Sequence, residues 1–390
     1  MKSSVSKKIL FFFFLMLILI GVLLPQTNGM ISAATTKKQT VKSSTLQSGK
    51  QFTLTDMPYN GVHSIISSYK NKDLTVRCIQ NIAYTPDGKY IFTIGECNVS
   101  GEKYGLLTRC SVPTEIGKNA EAPSQEAVVL EDFGHSDVVA VTQDNLSKKV
   151  YNLWVSCKPG DDGYGRQIAR LTYKVDKSGK GKIAKTVYIK GFEKTNVSGG
   201  KAGYYTNKLK AEKLHCAVDA ESNQIVFRLK LEGSGCYYLS YNLKSINSAL
   251  NSVKNKGSFD ISSKPKWQNA RIVCNLTPLC TFQSFDVEGK NIYIIGGHFG
   301  LGAQIYAFDY ETQKDGKIKE QSIKNTSELS RIVDLDAVIK IDDADYDKSY
   351  LEVEGFKVEK EGKKTYCYVS FNCSGPSMRN SVSIYKFALK

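Results

Sequence analysis

Apolar and polar residues alternate in short runs along residues 282–310, FQSFDVEGKNIYIIGGHFGLGAQIYAFDY. A run at 282–287 meets the turn pair Glu288-Gly289. A second run at 291–296, a Gly-rich loop and a third run at 304–310 follow. A period of two is that of a pleated strand, whose side chains point alternately to its two faces. The segment therefore predicts an antiparallel meander. The pattern recurs four times. Runs at 79–84, 90–95 and 105–112 surround Thr85-Pro86-Asp87-Gly88, with Pro and Gly where a type I turn favours them. The other copies occupy 135–141, 150–157 and 167–175; 214–218, 224–231 and 236–243; and 351–358, 365–372 and 382–389.

The copies start about 55 to 80 residues apart, a longer period than most propeller repeats, so insertions separate the strands. Each holds three clear strands and room for a fourth. A single meander cannot bury both faces, so copies must stack, and closing them into a ring protects the ends. The predicted fold is all-β, a five-bladed β-propeller with short surface helices. Either residues 51–54 or residues 73–77 supply the strand that completes the last blade. A pair of β-sandwiches is the competing architecture, but it needs no shared phrase. Residues 243–253, with Ile246, Leu250 and Val253 at helical spacing, predict a surface helix, and 327–333 a second.

Aligning the copies places Gln80, Ser136, His215, Gln283 and Glu354 at one equivalent position, near the start of each innermost strand. Asn81, Asp137, Cys216, Ser284 and Gly355 come next, then the apolar set Ile82, Val138, Ala217, Phe285 and Phe356. A polar, small, apolar order fits a strand whose first residue faces a wet central channel. Gln80, Ser136, Asp137, His215, Gln283 and Glu354 are thus the candidate ligand-binding residues of the channel mouth. The plainer alternative is that they hold ordered channel water.

Catalytic patterns are few. A glycosidase needs two carboxylates flanking the bond, and the equivalent set offers Glu354 and Asp137 with no third acid. No Gly-x-Ser-x-Gly elbow occurs, and His135-Ser136-Asp137 is sequence adjacency rather than a converging triad. Asp343, Asp345 and Asp347 stand at positions one, three and five of a calcium-loop template, with Glu354 at twelve. Lys348 occupies the position that wants Gly, so an acidic inter-blade loop competes with calcium as the reading. No other cofactor is expected, and the chain is expected to bind rather than catalyse.

The ends and the charge set the context. Residues 1–34 carry a basic start at Lys2, Lys7 and Lys8, an apolar run at 9–24 and the small residues Ser32-Ala33-Ala34, the pattern of an export signal. Residues 35–50 are Thr/Ser/Lys/Gln-rich and predict a flexible linker, leaving 51–390 for the propeller. The net charge is +15, with lysine clusters at 174–194 and 201–213. Such an excess suits an anionic cell-surface polymer, lipid or glycan, or else simply solvates loops; for an exported protein nucleic acid is not the expected partner. Ten cysteines, an even number, permit disulfides in an exported chain. Cys97 with Cys110, and Cys274 with Cys280, are the nearest candidate pairs.

Several phrases resemble those of the helveticin J-like bacteriocin family. They are Gln80-Asn81-Ile82 with Tyr90-Ile91-Phe92, Gln283-Ser284-Phe285 with Gly289 and Ile292-Tyr293-Ile294, Gly134-His135, and Leu351-Glu352-Val353-Glu354-Gly355-Phe356. The resemblance spans about residues 75–390. It implies a secreted bacterial five-bladed propeller that acts on competing cells or binds cell surfaces, and it implies no catalytic set. The ten cysteines and long inserts depart from that pattern. Together the residues and the resemblance predict an extracellular, monomeric, basic surface-binding protein. A lectin-like glycan binder is the alternative, and a propeller glycoside hydrolase stands behind it.

Overall fold

The computed structural model describes residues 37–40, 49–55, 66, 68–117, 119–198, 201–203, 210–233, 235–298, 300–312, 318, 320–335, 351–373 and 381–389. All of these belong to the unit Thr36–Lys390. The expected export signal lies outside the described residues, as does the acidic segment with Asp343, Asp345 and Asp347.

Five antiparallel meanders account for most of the chain. Sheet I comprises Lys72–Tyr84, Tyr90–Val99, Glu102–Ser111 and Glu121–Leu130, and sheet II Val139–Thr142, Val150–Pro159, Gly165–Val175 and Gly181–Lys190. Sheet III is Ala211–Asp219, Gln224–Leu231, Cys236–Asn242 and Gln268–Cys274, and sheet IV Phe282–Glu288, Asn291–His298, Gly302–Asp309 and Arg331–Asp334. Sheet V combines Leu351–Glu361, Lys364–Cys373 and Ser381–Leu389 with the early strand Gly49–Thr55, whose Phe52 and Leu54 pair with Ile384 and Val382. Of the two segments expected to complete the last blade, the earlier one does so. Residues 73–77 belong instead to the first strand of sheet I.

The first strands of the five sheets touch in cyclic order, I to II to III to IV to V and back to I. Each neighbouring pair of sheets encloses its own apolar cluster. Phe92, Leu107, Tyr151 and Leu153 pack between I and II. Trp154, Ile168, Leu214 and Phe227 pack between II and III, and Val226, Tyr238, Phe285 and Phe308 between III and IV. Ile295, Ile305, Phe356 and Phe371 fill the space between IV and V, and Phe52, Leu54, Ile82 and Ile91 that between V and I. Faces that a lone meander leaves wet are thereby removed from water. Two stacked sheets are not seen among the described residues.

The outer edges are tied by parallel additions. Ser258–Asp260 pairs with the last strand of sheet II, Glu320–Ile323 with that of III, and Lys37–Thr40 with that of IV. Residues 121–123 pair with Gly49–Thr55 of sheet V before the same strand continues into sheet I. Residues 37–40, within the stretch read as a linker, are thus a strand. Sheet I has no such addition among the described residues.

Irregularities in the first strands bear on the centre. Register shifts fall between Val76 and Asn81 in sheet I, Phe282 and Ser284 in IV, and Val353 and Phe356 in V. A β-bulge bends a strand and re-aims its side chains. The bulge in sheet I presses the backbone so close to its neighbour that a Cβ on Gly95 would collide with the Cys78 carbonyl.

The helix expected at 243–253 is α1, Leu243–Ser252, which buries Leu243, Ile246 and Leu250 and is capped at its start by Asn242. Lys185 Nζ donates to the carbonyls of Leu250 and Asn251 at its C-terminal end, where cations are favoured. Residues 327–333 are not a helix: a single 3₁₀ turn at Thr326–Glu328 gives way to the strand Arg331–Asp334. The β-branched Ile332 and Val333 pair with Tyr306 and Ile305, and that pairing decides the outcome. The cysteine expectations also need correction, for Cys97, Cys274 and Cys280 are free thiols. Hairpin register sets Cys97 opposite Tyr104 and Cys110 opposite Ile91, so the two cannot bridge.

Candidate functional site

A cleft of about 740 Å³ is lined by residues in, or leading into, the strands of all five sheets. Gln80 from sheet I, Asp137 just before sheet II, His215 from III, Gln283 from IV and Glu354 from V all line it. Five of the six residues expected at the channel mouth are therefore brought together. Ser136 is the exception. It is fully buried with φ +41°, and its hydroxyl donates to the Phe133 carbonyl at 2.9 Å. With Gly134 also at positive φ, the chain swings so that Asp137, the next residue, takes the cavity position.

Asp137 is the hub. Its Oδ2 lies 2.8 Å from His215 Nε2, and its Oδ1 accepts from Ser156 Oγ at 3.2 Å. Asn81 Nδ2 donates to the Asp137 carbonyl at 3.1 Å and to Ser284 Oγ at 3.0 Å, linking sheets I, II and IV. Arg228 Nη1 stands 3.3 Å from His215 Nδ1. A guanidinium only donates, so Nδ1 accepts, the proton sits on Nε2 and the imidazole is neutral. Burial, ahead of the opposing pull of Asp137, accordingly holds His215 below its ordinary value. Burial alone would raise the Asp137 carboxyl; the His215 contact, with His135 and Lys213 beside it, outweighs burial and leaves Asp137 well below the usual range.

Glu354 behaves in the opposite sense. Burial, reinforced by Glu352 and Asp137, pushes it well above a normal carboxyl, against the single hydrogen bond from Gln80 Nε2 at 3.3 Å. Glu352 is raised by burial too, and accepts from Gln283 Nε2 at 3.1 Å. Cys78, whose sulfur accepts from Gln80 Nε2 at 2.8 Å, is driven up to about 12 by burial and the neighbouring Glu354, so it stays an unreactive thiol. Asp137 is thus held toward its ionised form, and Glu354 and Glu352 toward their protonated forms, in one cavity.

Aromatic and cationic groups complete the wall. Arg228 lies 3.7 Å above the Phe282 ring, which also sits 4.9 Å from the His215 ring. Lys213 Nζ is 3.2 Å from the Tyr164 ring centre, and burial lowers its pKa. Sequence reasoning missed Arg228, Lys213, Phe282, Tyr164 and Glu352. Two of them carried a signal. Arg228 interrupts the apolar run 225–229 and sits opposite His215 in register. Glu352 is two residues before Glu354 on one strand and supplies the third acid that the aligned set lacked. Among the described residues no group of three metal-ligating side chains exists.

The opposed shifts define a pH test. Glu354 has a raised folded-state pKa, so its contribution to stability is complete below the ordinary glutamate value and is lost as pH rises toward the folded value. Glu354→Gln, which cannot ionise, should melt above the wild type at pH 7, and the gap should close below about pH 4. Asp137, shifted down, contributes above the ordinary aspartate value and loses that contribution only as pH falls below it, so Asp137→Asn should melt lower at pH 7. Calorimetric melts of the two variants from pH 3 to 8 would check both signs.

Fold and site thus define a nearly all-β protein of stacked meander sheets around a polar central cleft. The chain belongs to the helveticin-J family: the model described as bacteriocin helveticin-J matches residues 89–390. No curated protein matches it. Among solved structures it is similar to the tail fibre of Staphylococcus aureus phage P68, at 11% identity and TM-score 0.46, over 89% of this chain and 54% of that one. It is also similar to a GH43 β-1,3-galactosidase (9% identity, TM-score 0.38, 80% and 98% of the chains) and to the periplasmic gluconolactonase of Pseudomonas aeruginosa (11%, 0.35, 88% and 82%). The chain spans about half the length of the tail-fibre chain it matches. None of these likenesses is close enough to carry a function across.

Proposed function

We propose that the five sheets close as a five-bladed β-propeller, and that this basic protein is exported to bind a glycan of the bacterial cell surface through its central cleft, as a helveticin-like antibacterial protein. One observation carries the reading. Each of five first strands, or the residue leading into it, delivers one polar side chain to a single cleft: Gln80, Asp137, His215, Gln283 and Glu354. Convergent donors and acceptors beside an aromatic ring are what a sugar, with its hydroxyls and apolar face, requires. The ring here is Phe282. Exposed Lys174, Lys177, Lys180, Lys182 and Lys190 on sheet II supply a separate basic face for an anionic wall polymer or lipid.

The two contributions separate experimentally. Co-sedimentation of the monomeric protein with purified bacterial walls should fall as salt rises, to the extent that the lysines act. Phe282→Ala should weaken retention by at least about tenfold at every salt concentration, because the ring is a central anchor rather than a rim charge. Retention unchanged by Phe282→Ala would remove the cleft from the binding site.

A further inference from the structure

We propose that the cleft also cleaves glycosidic bonds, with Glu354 as the proton donor and Asp137 as the base that activates water. This rests on reading the cleft as a glycan site. Both carboxyl groups line the same cleft, Glu354 from the first strand of sheet V and Asp137 from the residues that lead into sheet II. They are held in different ways. Glu354 Oε1 accepts from Gln80, which leaves Oε2 as the oxygen to carry a proton. Glu352, two residues earlier on the strand, is a second, partly buried carboxyl that discourages Glu354 from ionising. Asp137 receives one donor on each oxygen, His215 on Oδ2 and Ser156 on Oδ1, and each oxygen keeps a lone pair for a water hydrogen. A carboxyl held toward its protonated form and another held toward its ionised form, in one cleft, are the two groups that glycoside hydrolysis needs.

The step balances with water alone. Glu354 gives its proton to the glycosidic oxygen as the bond from that oxygen to the anomeric carbon breaks. Water adds to the anomeric carbon and passes a proton to the Asp137 carboxylate. One water is consumed and two hydroxyl-bearing fragments are released, after which solvent exchange returns the proton to Glu354. The substrate class is a glycan of the bacterial wall, with a sugar ring set against Phe282.

The test uses the full protein and purified bacterial wall polysaccharide, read by reducing ends released and, separately, by retention on the polymer. Glu354→Gln deserves priority, because glutamine keeps a neutral donor in the same space but has no acidic proton. The wild type is expected to release reducing ends, and Glu354→Gln to lose at least about a hundredfold in rate while staying bound. Asp137→Asn is expected to act in the same direction; if it fails to fold, Glu354→Gln decides alone. Retention of the wild type without release overturns hydrolysis and leaves recognition standing. Release by Glu354→Gln within about threefold of the wild type overturns the assignment of the acid. Neither retention nor release overturns both readings together.

Discussion

A chain in which Phe52 and Leu54 are both replaced by alanine is expected to lose cooperative unfolding. Gly49–Thr55 is the last strand of sheet V, yet it comes from the opposite end of the sequence, and residues 121–123 of sheet I pair along its other side. Both side chains are 1% exposed in the cluster between sheets V and I. Truncating a buried leucine or phenylalanine costs about 2–5 kcal/mol. Two such losses approach the whole stability of an ordinary domain, about 5–15 kcal/mol. The residues are neighbours, so the losses need not simply add. Urea unfolding followed by near-UV circular dichroism would read the result. A variant that retained a sharp, wild-type transition would show that the early strand does not hold the last sheet.

Asp286→Ala is expected to cost about 3 kcal/mol, and more than a surface deletion of the same size. Asp286 Oδ2 lies 3.0 Å from Lys357 Nζ and accepts from the Val358 amide at 2.6 Å, joining the first strands of sheets IV and V. Burial raises the Asp286 carboxyl even beside the ammonium, whereas Asp286 outweighs burial at Lys357 and raises it. The two shifts oppose each other in sign for the charged pair, as expected where desolvation offsets much of the attraction. Removing one partner is another matter. It strands a cation and a backbone amide together. The cost falls at the low end for a buried pair because 21% of the Lys357 side chain remains exposed. Replacing both, as Asp286→Leu with Lys357→Met, should restore most of the loss. Denaturant titrations of the single and double variants would show whether the penalty belongs to the unpaired charge.

The repeat was legible because period-two alternation and turn chemistry are local. Thr85-Pro86-Asp87-Gly88 reads as a turn from four residues, and Gly88 does adopt φ +68° there. The cleft was partly legible for the same reason, since aligning five first strands puts Gln80, His215, Gln283 and Glu354 in register. What escaped depends on backbone irregularity and on contacts distant in sequence. Bulges near Gln80, Gln283 and Glu354 are invisible to a strict alternation, and the positive φ of Ser136 moved the cavity position of sheet II by one residue. Arg228 and Phe282 meet across 54 positions of sequence, and only the fold brings guanidinium and ring together. The helix expected at 327–333 failed because strand pairing at Ile332 and Val333 overrode a faint 3.6-residue spacing.

The parallel edge strands change how the molecule comes apart. In a linear solenoid, units contact only their neighbours and can fray from either end. Here the rim is woven: a short ribbon from one sheet's excursion is stitched to the border of the sheet before it at four of the five junctions. Prising one panel loose drags its neighbour's thread with it, which favours collective rupture over gradual peeling. Among the described residues the seam between sheets I and II has side-chain ties such as Arg109 to the Gly179 carbonyl in place of a stitch, so it is where breathing should begin.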